Sequence, residues 1–277
     1  MLTDAHCHPH DLAACFPAAE EERRRLGVIC ASSACSMEEF EYCEKLPGVA
    51  PCFGVHPQQL SIITHAKTQR RKADSGFSDE CFASPRLGVI NIENILSIME
   101  SLATEGRLAA VGEAGFDLFN AEFKETEKAQ EGVFAAQLEI ALRHDLPLVI
   151  HARRAMHKIF AHAAGLKKCK ALVFHSWPGT TGEGEALLRR GLNAYFSFGT
   201  ALLLNHRQAM RCCALLPSDR LLAETDAPYQ GLRGKAFSRY ADLADIIRAM
   251  ETLRGQASME GVVEGNFRAV FSGSLLT

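Results

Sequence analysis

Eight short apolar runs, each followed by a longer polar or mixed segment, govern what this chain can fold into. They occupy residues 2–8, 26–32, 49–56, 108–113, 148–151, 171–175, 193–198 and 220–226. Most are too continuously apolar for a sheet with one face in water, and suit strands of a parallel sheet covered on both sides. Segments with helical spacing lie between them, notably 125–144, 155–164, 181–190 and 238–254. A strand–helix unit repeated eight times in 277 residues predicts an α/β protein, a (β/α)8 TIM-type barrel, with one domain spanning 1–277. A doubly wound open sheet is the structural alternative, but its phosphate-binding G-x-G-x-x-G fingerprint is absent. One stretch breaks the rhythm. Residues 58–84 contain Arg70-Arg71-Lys72 and the polar run Asp74-Ser75-Gly76 without a core pattern, which predicts an inserted loop after the third strand.

What ends the strands matters more for function. The first run closes on His6 and His8, the third on His56, the fourth on Glu113, the fifth on His151, the sixth on His175 and the eighth on Asp226. Strand residues i and i+2 face the same side, so His6 and His8 converge while Cys7 between them turns away into the core. In a parallel barrel the carboxyl ends of the strands form one ring, the face on which active sites are built. Taken singly, a histidine at a strand end is ordinary and an aspartate before a helix is an N-cap. Together, clustered imidazoles and carboxylates are costly to bury unless a cation joins them. His10, His65, His144, His157, His162 and His206 fall outside the strand ends and read as surface or packing residues.

Charge narrows the function classes. A formal net charge of −3 argues against coating nucleic acid through bulk charge. It leaves room for an enzyme that holds a nucleic-acid end through metal ions and a few local cations. No run reaches the roughly 18–20 apolar residues of a membrane span. Met1-Leu2-Thr3-Asp4 leads straight into a strand, so no signal peptide is expected. Ten cysteines without a C-x-x-C pair are expected to stay reduced, in the cytoplasm.

The ordered motifs Asp4-Ala5-His6-Cys7-His8, Gly54-Val55-His56-Pro57, Val111-Gly112-Glu113-Ala114-Gly115-Phe116-Asp117, Ile150-His151-Ala152-Arg153, Phe174-His175-Ser176 and Glu224-Thr225-Asp226-Ala227-Pro228-Tyr229 resemble the TatD family of metal-dependent hydrolases, within the amidohydrolase-like barrels. Gln130, Phe134, Gln137 and Leu138 add a helix at the family spacing, and the match covers nearly the whole chain except the insertion. The resemblance implies two divalent ions (zinc, manganese, nickel or magnesium). His6, His8 and Asp226 would hold the first, His151 and His175 the second, and Glu113 would bridge them. It further implies that Asp226 orients a water and takes its proton, while His56 and Arg153 bind the phosphate. The implied activity is phosphodiester hydrolysis on DNA, a deoxyribonuclease working on strand ends or single strands. Hydrolysis of a small amide, lactone or phosphoester is the alternative enzyme, and a non-catalytic metal-binding protein the third reading. A glutamate at the fourth strand, rather than a carboxylated lysine, favours the first.

Departures from the family pattern gather on the substrate side. After the fourth strand the chain reads Asp117-Leu118-Phe119, and Arg154 stands where the family has an acidic residue. His-Cys-Phe-Ser-Gly is replaced by His175-Ser176-Trp177-Pro178-Gly179, and Arg-Gly-Lys-x-Asn-Glu-Pro by Arg233-Gly234-Lys235-Ala236-Phe237-Ser238-Arg239. Trp177, two residues past His175, has two readings: stacking on a terminal base or packing against its own loop.

Overall fold

A computed structural model describes residues 1–61 and 91–271. Eight strands run in chain order around one parallel sheet: β1 Thr3–Cys7, β2 Ile29–Ala34, β3 Val49–Phe53, β4 Ala110–Asp117, β5 Leu148–Arg153, β6 Leu172–Phe174, β7 Ala194–Phe198 and β8 Leu221–Ala223. Backbone hydrogen bonds bring the last strand back to the first: the Asp226 amide donates to the His6 carbonyl at 2.9 Å, and the His8 amide to the Ala227 carbonyl at 2.7 Å. The sheet is thus a nearly closed barrel with helices between its strands, a single-domain (β/α)8 fold. Of the expected insertion at 58–84, only residues 58–61 are described; the rest lies outside the described residues.

The differences from the expected boundaries have local causes. The second run begins inside a helix, Ala19–Leu26, which Gly27 ends in the left-handed conformation (φ 65°) that glycine adopts at no steric cost. The expected helix at 125–144 divides at Thr126 into Ala121–Glu125 and Glu127–Arg143. The Thr126 hydroxyl there donates to the Phe123 carbonyl at 2.9 Å. The expected helix at 238–254 starts with a 3₁₀ turn, Tyr240–Asp242, before Leu243–Arg254. The expected helix at 155–164 divides into Met156–Ala161 and Ala163–Leu166, and that at 181–190 is Thr181–Arg189. Helices Pro9–Cys15, Met37–Glu44, Ile92–Thr104, Arg207–Leu215 and Met259–Val270 lie in the same shell.

Val149 and Val173 share the inward faces of their strands with His151 and His175. They belong to a compact apolar cluster with Ala31, Cys52, Ala110 and Leu222 that fills the barrel beneath its mouth. A larger cluster lies between strands and helices, where Phe116 of β4 meets Phe134 of Glu127–Arg143 at 4.8 Å between centroids. Cys7 belongs to it, fully buried, as its alternation on β1 predicts.

The same helix steadies two strand ends. Gln137 accepts from the Val55 amide at 2.8 Å and donates back to the Val55 carbonyl at 3.2 Å. Seven residues earlier, on the same helical face, Gln130 accepts from the Asp117 amide at 2.9 Å and donates to its carbonyl at 3.0 Å. Both amides are buried and satisfied, so each holds its strand end in register with the helix. A Cβ at Gly54 would stand 2.7 Å from the Gly112 backbone and 2.9 Å from Gln137, so the approach that carries His56 inward requires glycine.

Candidate metal centre

Five imidazoles and two carboxylates from β1, β4, β5 and the segments just past β1, β3, β6 and β8 meet at the carboxyl end of the barrel. Glu113 is the hub. Its Oε1 lies 2.5 Å from His151 Nδ1 and 3.3 Å from both His56 Nε2 and His175 Nε2. Its Oε2 turns the other way, 3.3 Å from His6 Nε2. Asp226 Oδ1 stands 3.6 Å from His6 Nε2 and 3.4 Å from His8 Nε2. The rings of His6 and His175 stack at 4.0 Å.

Three groups of donors are compact enough to hold an ion: His6 with His8 and Glu113, His6 with His175 and Asp226, and His56 with Glu113 and His151. Every residue predicted from the sequence as a ligand is therefore in the cluster. The donors interleave: His175 shares Glu113 Oε1 with His151 and also falls in a group with His6 and Asp226, while His56, expected on the phosphate, lies among the donors at 3.3 Å from His151 Nδ1.

The electrostatics follow from crowding. Burial opposes ionisation of Glu113, but the imidazoles of His175, His56, His6 and His151 outweigh it and hold its carboxyl well below the usual range. Burial also penalises a proton on His175; the neighbouring carboxylates Glu113 and Glu224 reverse this and push it up to about 10. His6 moves down, because burial and the nearby His175 both disfavour its charge. Carboxylates and imidazoles thus shift one another in opposite directions, each favouring the charged form of the other. His6 Nε2 is buried without a hydrogen-bond partner, its neighbouring oxygens lying off the line of a bond. A buried imidazole nitrogen without a partner, standing beside two carboxylates, fits the donor chemistry of a cation site.

A second layer of carboxylates escaped the sequence reading, which quoted Asp117 and Glu224 within motifs but gave them no role. Asp117 Oδ2 sits 3.3 Å from His151 Nε2 and accepts from Gln58 Nε2 at 2.7 Å. Glu224 Oε1 lies 3.3 Å from His175 Nδ1 and accepts from the Ser176 amide at 2.8 Å and its hydroxyl at 2.7 Å. Asp117 hydrogen-bonds the far nitrogen of His151, whose near nitrogen faces Glu113, whereas Glu224 stands beside the far nitrogen of His175 as a charge partner without hydrogen-bond geometry. Gln230 Nε2 donates to Asp226 Oδ2 at 2.7 Å. Asp226 and Ser176 both have left-handed backbones, at φ 52° and 43°, a conformation uncommon outside glycine that tends to gather at functional sites.

Arg153 is exposed, its guanidinium 3.6 Å above the Phe119 ring. Trp177 is not available to a base: it is 4% exposed, wedged edge-on against Phe174 and Phe196. The stacking reading is overturned, and the packing reading holds. Gly179 lies over the indole so closely that even a Cβ there would collide with it. The exposed aromatic rings among the described residues are Phe119 and Tyr229 instead, both just beyond strand ends at the mouth. His10, His144, His157, His162 and His206 stand apart from the cluster, with His144 on Glu100 and His162 on Glu131. His65 lies outside the described residues.

A family model described as TatD related DNase matches residues 3–272. The 3′-5′ ssDNA/RNA exonuclease TatD of Klebsiella pneumoniae (strain 342) is 29% identical over 262 residues, 89% of this chain and 96% of that protein. Its namesake from Musicola paradisiaca (strain Ech703) is 36% identical over 188 residues, covering 64% and 69%. Among solved structures, YJJV, a TatD homologue from Escherichia coli k12, superposes with a TM-score of 0.78 at 21% identity over 98% of each chain. A TatD-family hydrolase from Entamoeba histolytica does so with a TM-score of 0.71 at 15% identity over 97% of each.

Proposed function

The chain belongs to the TatD family of metal-dependent hydrolases, and we propose that it is an exonuclease removing nucleotides from the 3′ end of single-stranded DNA or RNA. The carrying observation is the convergence of five imidazoles and Asp226 on Glu113, with His6 Nε2 left orphaned between the carboxylates. The relatives' names supply the substrate.

The donor set fits divalent cations of the zinc, manganese or nickel kind, and magnesium less well because imidazole predominates. Glu113 presents different oxygens to His6 and to the His56–His151–His175 side, so it suits a ligand shared by two ions. His6, His8 and Asp226 would complete one side, and His151 and His175 the other, with His56 within reach. Divalent ions bound there supply Lewis acidity toward a phosphoryl oxygen and acidify a water molecule.

The protein's own groups do the rest. Asp226, held by Gln230 on Oδ2, takes the proton of the attacking water. Arg153, on the same face of β5 as His151, receives the scissile phosphate, whose oxygens a guanidinium fork matches. Water's hydroxyl adds to phosphorus as the opposite P–O ester bond of the phosphodiester breaks, and the leaving oxygen takes up the proton that Asp226 gained from the water. Asp117 keeps the His151 imidazole from turning while this charge moves, and Glu224 offsets the charge of His175.

The test is a time course on 3′- and 5′-labelled single strands with manganese, magnesium or zinc. Stepwise shortening of the 5′-labelled strand, with immediate loss of a 3′ label, is expected. Turnover of a small ester or amide without cleavage of any oligonucleotide would contradict the nuclease reading and leave the small-molecule hydrolase in its place.

A further inference from the structure

Phe119 carries more than one cation. Arg153 lies with its guanidinium carbon 3.6 Å from the ring centroid, and Arg154, the next residue, 4.8 Å from the same centroid. Consecutive strand residues point to opposite faces, so two neighbours reaching one ring is not what β5 alone would give. Arg154 does so because it lies just past Arg153, the last residue of β5, with φ at 55°, a left-handed turn that bends it back toward the segment after β4. Its Nη1 rests 3.5 Å from the Phe119 carbonyl. Both arginines are exposed, Phe119 is 41% exposed, and among the described residues neither guanidinium has a carboxylate partner. An exposed arginine with no carboxylate partner, held in place by an aromatic ring, keeps its full positive charge available to an anion at the rim. Its remaining N–H edges face solvent at the rim of the mouth, beside the strand that carries His151.

We propose that Arg154 is a second phosphate-binding residue, which grips the phosphodiester next to the scissile one, with Phe119 as the platform that fixes both guanidiniums. This rests on the nuclease reading and deepens it: the substrate class becomes a strand with at least two consecutive phosphates rather than a phosphomonoester or a dinucleotide. Two arginines in sequence on one ring supply a pair of forks for a flexible backbone, and a single strand supplies consecutive phosphates free to adapt to them. Arg153 serves the reacting phosphate; Arg154 touches none of the reacting atoms and sets length preference and grip.

The experiment compares wild type with Arg154→Asn, whose side chain tolerates the left-handed backbone, and with Arg154→Lys, which keeps the charge but loses the planar fork. Two quantities are read: the ratio of kcat/KM for a thymidine hexanucleotide over a thymidine dinucleotide, and the salt dependence of hexanucleotide binding by chelator-treated protein, followed by fluorescence anisotropy. In Arg154→Asn the hexanucleotide advantage falls severalfold, through KM rather than kcat. The slope of log Kd against log salt drops by about 0.7, one single-strand phosphate. Arg154→Lys recovers the slope but only part of the advantage. A wild-type slope and ratio in Arg154→Asn, in an enzyme that still cleaves oligonucleotides, overturns this inference alone. Failure of wild type to cleave or bind any oligonucleotide overturns the nuclease reading and this inference with it.

Discussion

At the floor of the mouth, each donor stands in a strand or within three residues of its end: His6, Glu113 and His151 inside β1, β4 and β5, and His8, His56, His175 and Asp226 just past β1, β3, β6 and β8. At the rim, Arg153, Arg154, Phe119 and Tyr229 are exposed. Arg153 ends β5, and the side chains of Arg153 and Arg154 are placed by their contacts with the Phe119 ring. The floor is fixed by the hydrogen-bond ladder of the barrel and braced by buried carboxylates and amides. The rim is fixed by a few local contacts, so its side chains can change without disturbing the donors. That difference explains how the chain keeps every expected donor while its loops depart from the family pattern.

If the floor acts as one unit, stripping its cations gives the largest effect. Exhaustive chelation should reduce hydrolysis to background, and manganese or zinc should restore it. Because His175 holds its proton up to about pH 10, reloading near pH 8 in weak buffer should release protons that a pH electrode records. Activity undiminished after verified metal removal would break the distinction between floor and rim.

Next come the braces. Asp117→Asn and Glu224→Gln leave the near nitrogens of His151 and His175 in place but loosen their far ones. Each should weaken metal affinity about 10- to 100-fold, measured by competition with a chromophoric chelator. Unchanged affinity in both would show that the donors need no support from behind.

Arg153→Ala probes the rim. It should lower kcat about tenfold or more, and at least as much as it weakens substrate binding, with metal content untouched. A loss confined to KM would show that Arg153 binds ground state and transition state alike.

The smallest catalytic effect belongs to Trp177. Truncation to alanine should cost about 3–5 kcal/mol of stability, as loss of a buried aromatic does, while kcat in the surviving folded protein stays near wild type. A severalfold fall in kcat with a wild-type melting curve would return Trp177 to the substrate.

The contrast between floor and rim also governs what the sequence reveals. The floor was legible because a strand repeats every two residues and a barrel gathers its strand ends. His6 with His8, and single groups at β3, β4, β5, β6 and β8, could be placed without coordinates. Their partition was less legible: His56 lies three residues past β3, and Gln137, far along the chain, holds the preceding residue's backbone. Trp177 shows the limit at the rim. Its distance from His175 in sequence is the same whether it faces a substrate or the core, and only the turn at Ser176 decides. The carboxylates behind the donors were in view as letters, but a brace is recognised by the atom it faces.

In the proposed centre Glu113 joins two cation sites at the floor of the barrel. The direct measurement is the metal content of purified protein, wild type against Glu113→Gln and His175→Ala, by elemental analysis after chelation and reloading. The shared role of Glu113 requires two ions per wild-type chain, and a greater loss of metal in Glu113→Gln than in His175→Ala, along with about a thousandfold or greater fall in activity, equivalent to ~4 kcal/mol of transition-state stabilisation. Full two-ion occupancy in a folded Glu113→Gln protein would contradict it.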